Sequence, residues 1–223
     1  MNTNGFISKK LGIVVLALTT GFVIHGGVLY SNMNTPAGFF NSEGHEIGDQ
    51  VILADTGFGA IITDFSFEFY AADVDPLAQY TISLYANDGV GGAPSTSLWT
   101  DTYAFGNSTD FSQGIVVNYS DLNITVPHSF TWAIDFANLG EAGNAGLILS
   151  ASGPAVGGNY TDYWLNEDGT WKLNVNNPND GSAVDFLASF SGSPVPEPTS
   201  MALMGVGSLG LFLLKRRSAR LSK

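Results

Sequence analysis

Apolar and polar side chains alternate along most of the chain between residues 29 and 191. The alternation is clearest from Phe65, Tyr80, Leu122 and Phe130 onward, where every second side chain is large and apolar. Because successive side chains of a strand point to opposite faces, this pattern predicts strands with one buried face. With the weaker segments included, we predict ten or eleven short strands. The weaker segments are 50–54, 97–103, 114–119, 146–151, 160–166, 171–175 and 184–190.

Gly, Pro, Asn and Asp cluster in the gaps between these strands, as tight turns require. No segment of this region shows the 3.6-residue period of an amphipathic helix. We therefore predict an all-β fold, an antiparallel two-sheet β-sandwich over residues 28–192, with its first strand at 28–32. The number of strands favours a jelly-roll-like arrangement over an immunoglobulin-like one.

The N-terminus has the layout of a secretory signal peptide, which we place at residues 1–27. Lys9 and Lys10 precede an apolar run that is too short to span a bilayer comfortably. No Ala-x-Ala triplet marks a cleavage site, so the pair Gly26-Gly27 is the best candidate. An uncleaved anchor helix is the alternative.

The C-terminus begins with a proline-rich linker at residues 193–198, which proline excludes from helices and central strands. Residues 199–223 then form a predicted short transmembrane helix with a basic tail. Its fourteen uncharged residues span about 21 Å as a helix, against a hydrocarbon core of about 30 Å. Lys215, Arg216 and Arg217 should stay in the cytoplasm by the positive-inside rule. Both ends therefore point inward and the body lies outside.

Charge separates the body from its ends. The chain has eight basic residues, and Lys172 is the one that lies outside the two termini. All twenty acidic residues lie between Glu43 and Glu197. Such a surface repels nucleic acids and anionic lipid headgroups, and it attracts divalent cations. Solubility outside the cell is the simpler explanation of the charge.

Val195, Pro196, Glu197 and Pro198, followed by the apolar segment and the basic cluster, resemble a PEP-CTERM sorting signal. The resemblance implies a bacterial chain that is anchored in the membrane before processing. It also implies a partner, an exosortase-type membrane transpeptidase that acts near Pro-Glu-Pro, and a setting of exopolysaccharide or biofilm at the cell surface or in the extracellular matrix. A plain tail anchor after a proline-rich stalk is the alternative.

No residue pattern predicts a catalytic site. The chain has no cysteine and no Gly-x-Ser-x-Gly elbow, and His45 and His128 lack the spacing of a zinc site. Carboxylate pairs such as Asp135 with Glu141 could hydrolyse a glycoside, but Asp135 fits the solvent face of a strand. The pair at 167–168 fits a hairpin turn. We predict a non-catalytic protein.

Two binding functions remain open. Segments 84–94 and 130–136 resemble jelly-roll domains that accompany such tails and are similar to carbohydrate-binding modules. Aromatic side chains off the core, with Tyr163, Trp164 and Trp171 as candidates, could stack on sugar rings, and one of the first two must face outward in a strand. Calcium is a candidate cofactor, because the turns at 87–89 and 177–181 supply oxygen ligands.

Overall fold

A computed structural model of the chain describes residues 26–42, 44–54, 56–105, 111–160, 162–174 and 184–195. Fourteen strands lie within these residues. In chain order they are β1 (Gly27–Ser31), β2 (Pro36–Asn41), β3 (Glu46–Ile52), β4 (Ala60–Ala72), β5 (Gln79–Ala86), β6 (Ser97–Ala104), β7 (Ile115–Tyr119), β8 (Ile124–Val126), β9 (Ser129–Ala137), β10 (Asn144–Ser150), β11 (Gly158–Asn159), β12 (Tyr163–Glu167), β13 (Thr170–Asn174) and β14 (Ala188–Pro194). A short 3₁₀ turn follows β5 at Val90–Gly92.

The strands form two antiparallel sheets that pack face to face. Sheet A has the order β1-β14-β4-β10-β2. Strands β7 and β8 also pair with β4, along the edge opposite to β14. Sheet B has the order β13-β12-β3-β9-β5-β6, and β11 pairs with β3. The predicted all-β, antiparallel two-sheet sandwich is confirmed, and the arrangement is consistent with a jelly-roll-like domain.

Aromatic rings fill the space between the two sheets. Phe65 and Phe67 of β4 are fully buried, and each ring centroid lies 5.8 Å from that of Trp132 on β9. Phe190 of β14 stacks on Phe65 at 4.4 Å with an interplanar angle of 7°. Each such side chain contributes roughly 1.5–3 kcal/mol by leaving water. Core packing thus holds together a chain that has no cysteine with which to form a disulfide.

The segments with alternating apolar and polar residues form strands as predicted. Strands β2, β3 and β14, which contain Gly or Pro, were either not predicted or predicted at the wrong position. Strand β3 begins at Glu46, four residues before the segment predicted at 50–54. Its Gly48 lowers strand propensity, yet a Cβ there would lie 2.8 Å from Thr131 Cγ2, so the close packing requires glycine. Strand β2, which opens with Pro36, was not predicted and lies at an edge of sheet A. Val184 and Phe186 are buried as predicted, although they precede β14.

The predicted signal peptide up to residue 25 and the predicted tail from residue 196 lie outside the described residues. Within the part of the chain that the structure describes, no helix has the length and apolar character needed to cross a bilayer.

Candidate functional site

The folded body ends where the predicted sorting motif begins. Pro194 is the last residue of β14 and pairs with Ala60 at the start of β4. The Val195 backbone N–H donates a hydrogen bond to the Gly59 carbonyl, at 2.9 Å. Val195 is thus fixed to the sandwich. The other motif and topology residues, Pro196, Glu197, Pro198, Lys215, Arg216 and Arg217, lie outside the described residues.

The N-terminal end of the body lies beside the same point. Strand β1 starts at Gly27, which pairs with Gly192 of β14. A Cβ on Gly192 would lie 2.1 Å from the Ile61 carbonyl oxygen, so glycine is needed for β14 to pack closely against β4. Both chain ends therefore leave the sandwich at one end, which we call the junction end and define by Gly27, Gly59 and Val195.

The structure separates the three aromatic residues predicted to contact a glycan. Tyr163 faces the core, and its ring lies 4.9 Å from Phe40. Trp164 occupies the outer face of sheet B but is only 5% exposed, so its indole presents little free surface for stacking on a sugar ring. Its partner in the register with β3 is Gly48. Trp171 is partly exposed on the same outer face.

Trp171 belongs to a cluster of polar and aromatic side chains from five strands of sheet B. Its ring lies 5.5 Å from Tyr85, edge to face. The Tyr85 hydroxyl donates to Glu46 Oε1 at 3.0 Å, and Asn166 Nδ2 donates to Glu46 Oε2 at 2.8 Å. Asp135 lies beside Glu46, because their neighbours Ile134 and Ile47 are paired. We call Glu46, Tyr85, Asp135, Asn166 and Trp171 the outer cluster.

The carboxylates of the outer cluster are partly withdrawn from water. Burial raises the pKa of Glu46, and the hydrogen bonds from Asn166 and Tyr85 offset part of that rise. Burial also raises the pKa of Asp135. An aromatic face beside hydroxyl, amide and carboxylate groups suits a ligand with one apolar face and many hydroxyls. The sequence did not indicate Glu46 or Asn166, because 120 residues separate these hydrogen-bonded partners.

In the turn at 87–89, which was considered for calcium, the side chains of Asp88 and Asn87 accept hydrogen bonds from other residues of the sandwich. The Asp88 carboxylate accepts hydrogen bonds from the Thr96 backbone N–H at 2.9 Å and from the Thr96 hydroxyl at 2.6 Å. Thr131 donates to the Asn87 side chain at 2.7 Å. The other turn, 177–181, lies outside the described residues. Among the described residues, no three or more His, Asp or Glu side chains gather as a metal site would require.

Most of the described residues considered for catalysis lie in turns and loops, whereas Asp135 lies on β9. His128 Nδ1 lies 2.8 Å from Thr56 Oγ1, in the connection that precedes β9. Asp168 and Gly169 connect β12 and β13 with positive φ angles of 52° and 81°, as predicted for a hairpin turn. The carboxylate pair Asp135 with Glu141 was also considered. The acidic neighbour of Asp135 is Glu46, and Glu141 lies in the loop that follows β9.

A buried acidic pair lies between the sheets. Asp49 of β3 points inward beside Trp132 with no exposure, and its Oδ2 accepts a hydrogen bond from the Phe186 backbone N–H at 3.3 Å. Asp185 is 3% exposed and accepts a hydrogen bond from Asn159 Nδ2 at 2.7 Å. Burial, reinforced by the charge of Asp185, holds the pKa of Asp49 well above its usual range. We interpret Asp49 as a structural carboxyl group whose protonated form the fold favours.

The PEP-CTERM protein-sorting motif matches residues 194–217. The match confirms the resemblance drawn from the sequence, and it begins at the last residue of β14. No curated protein matches the chain. No solved structure matches it either.

Proposed function

We propose that this chain is a non-catalytic protein of the bacterial cell surface or extracellular matrix, which an exosortase-type membrane transpeptidase sorts through its tail. The match of the sorting motif to residues 194–217 carries the proposal. Such a motif implies export and processing at the membrane. The absence of basic residues from the body, apart from Lys172, is consistent with a domain that crosses the inner membrane while both termini stay inside.

The position of the motif supports processing of a folded protein. Val195 is hydrogen-bonded to the body through Gly59, and Pro196, Glu197 and Pro198 follow it directly in the sequence. An enzyme that acts at these residues therefore works next to the sandwich, and removal of the tail beyond them leaves all fourteen described strands intact.

Intact mass spectrometry of the protein from cells that contain the exosortase tests this proposal. We expect the natural chain to lose its tail near Pro196-Glu197-Pro198 and Glu197→Gln to keep it. The matched control is Glu141→Gln, which makes the same change in an exposed loop of the body and should be processed normally. Full processing of every variant in a strain without exosortase would contradict the proposal.

A second candidate function is carbohydrate binding at the outer cluster. The contact between Trp171 and Tyr85, with Glu46 held between Tyr85 and Asn166, favours it. The acidic body repels acidic polysaccharides, so we propose a neutral glycan as the ligand. Binding of this kind would retain the sorted protein in exopolysaccharide.

Affinity electrophoresis in gels that contain neutral polysaccharides tests the second function. We expect at least one polysaccharide to retard the full chain and Trp171→Ala to abolish that retardation. Leu173→Ala is the control, because Leu173 lies two residues further along the same face of β13 and is 42% exposed. Equal retardation of both variants, or no retardation by any neutral polysaccharide, would contradict binding at the outer cluster.

A further inference from the structure

We propose that the junction end of the sandwich rests on the lipid bilayer while the chain is anchored, and that Val28, Phe58 and Ile61 contact the lipid interface there. This inference rests on the membrane-anchored stage of the proposed function. Its grounds are the length of chain on either side of the body and the position of three exposed apolar side chains.

The chain outside the sandwich is too short to hold the body away from the membrane. Residues 196–200 are the five positions between Val195 and the uncharged segment that starts at Met201. The six steps from Val195 to Met201 reach at most about 22 Å when extended, and bends at the prolines shorten this reach. Since Val195 is bonded to Gly59, that reach starts at the junction end itself.

The N-terminal connection is shorter still. The predicted signal peptide has its apolar run up to Ile24, and β1 starts at Gly27. Two residues lie between them, so an attached signal peptide would bring Gly27 within about 10 Å of the bilayer. Both connections leave from the junction end, so that end faces the membrane whichever segment holds the chain.

Apolar side chains surround the place where the chain leaves the fold. Phe58 precedes Gly59 and is 61% exposed, and Val28 follows Gly27 and is 50% exposed. Ile61 pairs with Ser193 on the outer face of sheet A and is 37% exposed. Single exposed apolar residues are ordinary on a protein surface. Three of them around the points where the chain leaves the sandwich form an apolar surface of the kind that inserts about 5–10 Å into the headgroup region of a bilayer.

The absence of cysteine makes a site-specific test direct. Phe58→Cys and Ile61→Cys of the full chain would each carry a polarity-sensitive fluorophore and be reconstituted into phosphatidylcholine vesicles. Leu77→Cys is the control: Leu77 is 76% exposed and follows β4, whose first residue, Ala60, lies at the junction end. We expect a blue shift and quenching by brominated acyl chains at positions 58 and 61, and neither effect at position 77.

The other outcomes separate the two proposals. If the full chain fails to float with the vesicles, anchoring itself fails and the proposed function loses its membrane stage. If the chain floats but positions 58 and 61 stay as polar as position 77, the inference about the junction end alone is overturned. A blue shift without quenching by brominated lipid would mean that protein, such as a second copy of the chain, covers the patch, and this also overturns the inference.

Discussion

The buried carboxyl group of Asp49 should make the sandwich less stable as the pH rises. Its pKa in the fold lies well above the ordinary value of 3.8, so the folded state keeps a proton that the unfolded chain has lost. Stability that is fully present below about pH 4 is therefore lost progressively as the pH approaches the folded pKa. One such group changes the free energy of unfolding by roughly 1.4 kcal/mol per pH unit over that window.

Asp49→Asn should remove this dependence. The amide keeps an oxygen that can accept the hydrogen bond from the Phe186 N–H, but it carries no charge to bury. Relative to the variant, we expect the natural protein to lose roughly 1.4 kcal/mol for each unit between pH 4.5 and its folded pKa, with a constant difference above it. Asp185 remains in both proteins, and because its charge acts on Asp49, the difference reports the loss of Asp49 from this interacting pair.

Urea unfolding of both proteins at pH 4.5, 5.5 and 6.5, followed by tryptophan fluorescence, measures the difference. Asp64→Asn is the control, because Asp64 lies on the exposed face of β4 and its change should leave the slope unaltered. A difference between the natural protein and Asp49→Asn that stays constant across these pH values would refute the interpretation of Asp49 as a protonated carboxyl group.

Three further predictions concern the core, the junction end and metal binding. Gly192→Ala should destabilise the fold by about 1–3 kcal/mol in chemical denaturation, because the new Cβ would meet the Ile61 carbonyl oxygen. Gly27→Ala is the control, because no atom lies within 4 Å of a Cβ at that position, and equal effects of the two changes would contradict the close approach of β14 and β4. Trp132→Ala should cost about 3–5 kcal/mol in the same assay, and a loss below 1 kcal/mol would contradict its central position between the sheets. Calcium or a chelator should leave the melting temperature unchanged, because Asp88 already accepts hydrogen bonds from Thr96; a rise on adding calcium would show that the turn at 177–181 or another site binds it.

The parts of this protein that the sequence predicted are those in which the information is local. Phe65 and Phe67 alternate with polar neighbours over one strand, and such a pattern determines a buried face without knowledge of the partner strand. The sorting motif is likewise contiguous, so it was identified before any fold was known. The turn at 167–169 was predicted from its own three residues.

The parts that the sequence did not predict depend on contacts across the fold. Trp164 is buried although it lies on an outer face beside β3, and nothing near Trp164 in the sequence indicates this. The outer cluster needs the register of β12 on β3, which brings Asn166 to Glu46. Asp49 carries a polar side chain at a core position, where a period-two pattern places an apolar one.

Labelling of a single cysteine in cells shows whether the body is exported across the inner membrane. The full chain with Leu77→Cys has a single thiol at a position that is 76% exposed in the fold. In spheroplasts treated with a membrane-impermeant maleimide, we expect this cysteine to be labelled before lysis. Labelling that appears only after the cells are broken open would place the body in the cytoplasm and contradict its export.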